Sequence, residues 1–210
     1  MKNLKYILTQ ESIQFGGRTL YRIKALKDFG DVKAGDLGGY IEKELNLSQE
    51  GKCWVHSEAK VCHYALVSDN AQVRDYALVC DNAQVRDYAL VSDNAWVCDY
   101  AVVGDYAVVL GNSVISYYAV VCGNAWVSGN AVVRDNAIAT KKVITFRNIY
   151  TLTMTDNHIR YGCIQKTIEE WKLFLDSDEV IETKRDTDKF KAIEITLRKA
   201  INMWENNKDS

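Results

Sequence analysis

The stretch ALVSDNAQVRDYALVCDNAQVRDY, residues 65–88, is one dodecamer written twice with a single change, Ser68 to Cys80. A shorter unit lies inside it. Aligned on the β-branched residue, a hexad runs from Val55 through Val61, Val67, Val73, Val79, Val85, Val91, Val97, Val103, Val109, Ile115, Val121 and Val127 to Val133, fourteen units without an insertion. Two positions before each stands a small residue, from Cys53 and Ala59 through Ser113 to Ala131. Residues two apart in a strand point the same way. The small residue and the valine therefore share an inward face, and the residue between them looks outward. The remaining three positions, Ser/Arg/Cys, then Asp/Gly, then Asn/Tyr, supply a corner in which Asp and Asn bond nearby backbone and Asn tolerates left-handed dihedrals. A strand of three and a corner of three, repeated without a break, coil the chain.

These hexads resemble the hexapeptide-repeat proteins, in which an aliphatic residue is followed four positions later by a small one. The resemblance implies a mainly β fold, a left-handed parallel β-helix of about fourteen hexads, three to a coil, over residues 53–142. It implies no single chemistry, because that fold hosts acyltransferases, carbonic anhydrases and noncatalytic proteins. A second resemblance lies outside the repeat. TLYRIKALKDFGDVKAGDLGGYIEKELNLS, followed by GKCWV, and the tail around NHIRYGCIQKTIEEW look like uncharacterised hexapeptide-repeat proteins of bacteriophages and prophages.

The backbone entropy of ordering one hexad exceeds what its single buried valine returns, so coils must stack and both ends need lids. Residues 1–52 are read as an N-terminal β cap, with YILTQESIQFGGRTLYRIKAL as a hairpin turning at Gly16 and Gly17. Residues 143–210 are read as a small C-terminal α+β cap: a hairpin, NIYTLTMTDNHIRYGCI, then two helices, TIEEWKLFLD and DKFKAIEITLRKAINMWENN. Thr167 and either Asp186 or Asp188 are placed near the helix starts.

The net charge of −2 gives no reason to expect a nucleic-acid polymer as partner. Within residues 53–139 four basic side chains face nine acidic ones, so the repeat is the acidic part. Proline is absent, which leaves the turns to Asn, Asp and Gly. No apolar run reaches the roughly 18 residues of a membrane helix, and MKNLKYILTQESIQ lacks a signal peptide's apolar core. The expected location is the cytoplasm, that of the host cell if the gene is phage-borne. The six cysteines are read as free thiols.

With three hexads per coil, residues 18 apart stack along one face. Two corner clusters follow. Arg86, Tyr88 and Tyr106 stand around the opening that Gly104 leaves, and Arg134 stands with Tyr117 and Tyr118. Arginine beside aromatic rings suits a planar anion. Trp96 and Trp126 are the groove aromatics among outward residues that are all apolar from position 90 onward, a pattern that suggests a homotrimer with the terminal caps covering another face. The Asp columns are assigned to satisfying their own turns. The Cys62, Cys80, Cys98 column lacks the spacing of a zinc site, and no metal or cofactor is expected. Of the histidines, His56 and His63 are placed in capping contacts of the first coil and His158 in a turn of the tail, where Cys163 is taken as packed.

From this emerges the expectation of a noncatalytic phage-type binding protein, sequestering a small nucleotide-like immune signal or blocking a host defence protein. Two alternatives stand beside it. One is an acyltransferase using acyl-CoA, dependent on His56 or His63; the other is a structural or assembly protein of a phage.

Overall fold

A computed structural model describes residues 4–181 and 183–207. Three strands, β1 (Tyr6–Phe15), β2 (Arg18–Ala25) and β3 (Leu37–Ile41), precede a series of two-residue strands, β4 (Trp54–Val55) to β18 (Ile138–Ala139), spaced six residues apart. Strands 18 residues apart pair in parallel, Gln72 with Leu90 and Leu90 with Val108. The chain therefore completes a turn every three hexads, and three parallel sheets wall a left-handed β-solenoid. Face one carries Trp54, Gln72, Leu90, Val108 and Trp126 outward. Face two carries Lys60, Leu78, Trp96, Val114 and Val132, and face three Leu66, Gln84, Val102, Val120 and Ile138. The stacked valines and small residues fill the interior and are fully buried. A further hexad closes the stack, with Ala139 in the valine's place.

The corners differ from expectation in an informative way. Asp, not Asn, takes the left-handed conformation, with φ between 53° and 60° from Asp69 to Asp105 and at Asp135. Its carboxylate does not serve its own turn. Asp69 Oδ2 accepts the amide of Asp87 one coil on (3.3 Å), Asp87 that of Asp105 (3.1 Å), Asp93 that of Gly111 (2.8 Å), Asp99 that of Tyr117 (3.0 Å) and Asp105 that of Gly123 (2.8 Å). The left-handed turn costs an L-residue roughly 1–2 kcal/mol. A hydrogen bond to a charged acceptor is worth about 1.5–3 kcal/mol, enough to offset it.

At the start of the prism, the β1–β2 hairpin adds through β3 to face two, where Tyr40 pairs with Lys60. Its tip bends back over that face, packing Ile13, Phe15 and Leu20 on Leu78 and Cys62, so this cap covers part of a face as well as an end. The buried Lys5 plugs the axis, its Nζ donating to the carbonyls of Glu50 (3.1 Å) and Cys53 (3.0 Å).

The tail holds more sheet than one hairpin. Four antiparallel strands, β19 (Ile144–Arg147), β20 (Thr151–Met154), β21 (His158–Tyr161) and β22 (Ile164–Thr167), pack on α1 (Ile168–Asp176) and α2 (Asp188–Asn207) around a core of their own. Thr167 caps α1, with Glu170 bonding back to the Thr167 amide in a capping box. The cap of α2 lies between the two aspartates anticipated: Thr187 Oγ1 accepts the amide of Phe190 at 3.2 Å. Cys163 is exposed beside the left-handed Gly162 and is not packed away. This sheet also seals the final coil, whose free amides at Val132 and Ile138 donate to Thr153 Oγ1 (3.1 Å) and Asn157 Oδ1 (2.8 Å). No helix among the described residues is long and apolar enough to cross a membrane.

Candidate functional site

Arg86, Tyr88 and Tyr106 share the corner between faces three and one, where the arginine is paired with Asp87 and the two tyrosines with each other. Arg86 Nη1 donates to Asp87 Oδ2 at 3.0 Å. A Cβ on Gly104 would lie 3.7 Å from Arg86 Cζ and 3.0 Å from Asp87 Oδ2, so the space beside the missing side chain is narrowed. The rings of Tyr88 and Tyr106 stack on each other, centroids 5.1 Å apart. At the corner between faces two and three, the Arg134 guanidinium lies 4.4 Å from the Tyr117 ring centroid. Tyr118 turns away from that pair and stacks on Tyr100 at 5.2 Å. Trp96 (52% exposed) and Trp126 (45% exposed) stand on different faces and share no groove.

The histidines separate sharply. His56 is tied to Gln72 Oε1 at 2.7 Å, and burial lowers its pKa. His158 is lowered by burial too, on β21. His63 occupies the left-handed position of its corner, φ 60°, where the later coils have Asp. Its amide donates to Glu42 Oε2 at 2.6 Å, and its Nδ1 lies 2.7 Å from Oδ1 of Asp81, the residue one coil on. Burial opposes ionisation of Asp81, yet hydrogen bonds from the Cys80 thiol, the Asp99 amide and His63 hold its carboxyl below the ordinary value. Nδ1 faces two groups of Asp81: with its proton on Nδ1 the ring donates to the carboxylate and keeps a lone pair on Nε2, whereas in the other tautomer Nδ1 accepts the Asp81 amide at 3.2 Å. The first tautomer is that of an oriented general base.

Three thiols line the same corner. Burial raises Cys62 to about 11. The neighbouring Cys98, burial and the Asp81 carboxylate raise Cys80, whose thiol donates to Asp81 Oδ2 at 3.3 Å, and Cys80 in turn lowers Cys98. None of the six cysteines, all among the described residues, is in a disulfide. The sequence reading assigned His63 to capping and missed its partner, although 63 and 81 differ by one coil and the signal was present in the spacing.

No family model matches the chain. A protein of Escherichia coli (strain K12) named "Uncharacterized acetyltransferase YdcK" is 36% identical over 75 aligned residues, covering 31% of this chain. The match takes in 23% of that protein, so it spans less than a quarter of the relative's length. It overturns the expectation of a noncatalytic, counter-defence phage protein: similarity runs to a protein named as an acetyltransferase, and it supports neither a phage source nor a nucleotide sponge.

Proposed function

We propose that this chain is an acyltransferase that moves an acyl group from acyl-CoA to a hydroxyl or amine, with His63 as general base and Asp81 as the residue that orients it. The His63–Asp81 contact of 2.7 Å carries the reading. His63 Nε2 takes the proton of the acceptor as its oxygen or nitrogen bonds to the thioester carbonyl. The carbon–sulfur bond then breaks, and the imidazolium returns the proton to the departing sulfur. A general base positioned at the acceptor contributes roughly 10²–10⁴-fold to such a step. Similarity to a protein named as an acetyltransferase supports the reaction class.

The proposal includes a homotrimer packed through face three. Its outward residues are Leu66, Gln84, Val102, Val120 and Ile138, apolar without a break from Val102 onward, and parallel sheets rarely leave such a face to water. His63 lies at the corner bordering that face, so assembly would place the base at the rim of the interface. The test is release of free CoA from acetyl-CoA in the presence of hydroxyl and amine acceptors, with the native mass measured alongside. Acceptor-dependent release from a species of three times 23.8 kDa is expected. No release with any acceptor contradicts the reaction, and a monomeric mass contradicts the assembly.

A further inference from the structure

Three coils beyond His63, the same corner interrupts the carboxylate ladder. Tyr117 stands where the earlier coils place Asp, with φ 57°. A bulky side chain in the left-handed region is strained. The neighbouring positions 111, 123 and 129 avoid that strain with glycine. The exchange removes a negative charge and puts an aromatic ring under Arg134.

A second cation is brought to this place by the C-terminal sheet. Arg160 on β21 pairs in register with Thr153 on one side and Gln165 on the other. Both neighbours bind the last coil, Thr153 Oγ1 through the Val132 amide and Gln165 Nε2 through the Arg134 carbonyl at 2.9 Å. Arg160 is thus held between two residues clamped to residues 132 and 134. Among the described residues no hydrogen bond or ion pair reaches its guanidinium, and burial and the charge of Arg134 both depress its pKa. Arg134 Nε is buried without a hydrogen bond and forms an ion pair with Asp135 at 3.4 Å. His158, two residues before Arg160 on the same strand, also has a buried, unpartnered Nδ1. Asp135 faces both arginines and His158; Glu170 also faces His158, but its carboxylate is bonded to the Thr167 amide and hydroxyl. Two guanidiniums with one carboxylate between them leave forked donors for an anion.

We infer that the seam between the last coil and the C-terminal sheet is a binding site for a phosphate-class anion, gripped by Arg160 and Arg134, with Tyr117 as the platform that holds the Arg134 guanidinium. The anion-binding claim stands on these residues alone. Its link to catalysis rests on the acyl-transfer reading, since the site shares its corner with His63, four coils or about 19 Å away at the spacing of parallel strands. The phosphate then belongs either to the CoA donor or to a phosphorylated acceptor.

Titration calorimetry with pyrophosphate, CoA, dephospho-CoA and glucose 6-phosphate separates these sources. Wild type is expected to bind pyrophosphate, and Arg160→Gln to bind it at least tenfold more weakly while unfolding at the same temperature. Preference for CoA over dephospho-CoA that disappears in Arg160→Gln assigns the site to the donor, and preference for glucose 6-phosphate over CoA assigns it to the acceptor. If Arg160→Gln does not fold, Tyr117→Asp decides, since it returns a carboxylate to an exposed corner and is expected to abolish binding. Pyrophosphate binding that survives in a folded variant, or no binding of any of the four probes by wild type, overturns the inference. Loss of pyrophosphate binding in Arg160→Gln by a protein that transfers no acyl group upholds the site while the acyltransferase reading falls.

Discussion

The corner between faces two and three is built in two ways along its length. In its first coils Asp81 and Asp99 clamp the corner amides that follow, and Asp81 also faces the His63 imidazole. In its last coils Tyr117 offers no carboxylate, and Arg134 and Arg160 gather instead. One backbone device, a left-handed residue in each coil, serves both. What differs is the side chain hung on it, and hence the sign of the local field.

The largest effect that sharpens this contrast is kinetic. Asp81→Asn removes the charge that orients His63 and is expected to lower kcat for acyl transfer by about 10²–10⁴-fold. Asp99→Asn, one coil on, faces no imidazole and leaves kcat within about twofold, since it removes no contact to the base. Equal losses in steady-state assays would erase the distinction between the two coils. Next in size is the clamp itself. Asp87→Ala, which strips the Asp105 amide of its acceptor, is expected to cost about 2 kcal/mol in denaturant unfolding. Smaller and opposite in sign is Tyr117→Asp. By relieving the strained ring and restoring a carboxylate below the Asp135 amide, it is expected to raise stability by about 1 kcal/mol while anion binding is lost. A gain in stability with anion binding intact would separate the strain from the site.

Acid gives the gentlest test. His56 and His158 have folded pKa values below their ordinary 6.5, so the unfolded chain takes up protons first. Their contribution to stability is complete above pH 6.5 and is lost as the pH falls from there through the folded values. Asp81, depressed below 3.8, keeps its contribution above that pH and loses it only as the pH falls through its own folded value. Thermal unfolding between pH 7.5 and 5.5 should therefore show a decline that His56→Gln flattens. An unchanged slope would show that His56 takes up its proton in the folded state as readily as in the unfolded one.

The prism was legible because its chemistry is periodic. Spacing of 18 assigns every outward residue to its face, and the pairings of Trp54 with Gln72 and of Val114 with Val132 follow that rule. The same rule could have joined His63 to Asp81, but reading each corner as a self-contained turn hid the bonds between coils. The opening expected at Gly104 is narrowed for a related reason: the Asp87 carboxylate of the coil below reaches to 3.0 Å from where a Cβ would stand, with Arg86 in contact beside it. Arg160 was beyond reach of the pattern. Its four-residue strand alternates too briefly to announce a sheet, and its partner Gln165 belongs to a strand the sequence reading did not separate. The returning hairpin is likewise a tertiary fact, set by Phe15 and Leu20 finding Leu78.

The most direct measurement is the rate of acetyl transfer from acetyl-CoA by His63→Ala beside His56→Ala. The account predicts a fall of about 100-fold or more for His63→Ala and a near wild-type rate for His56→Ala, whose Nε2 is occupied by Gln72. A His63→Ala protein that transfers at the wild-type rate would contradict it.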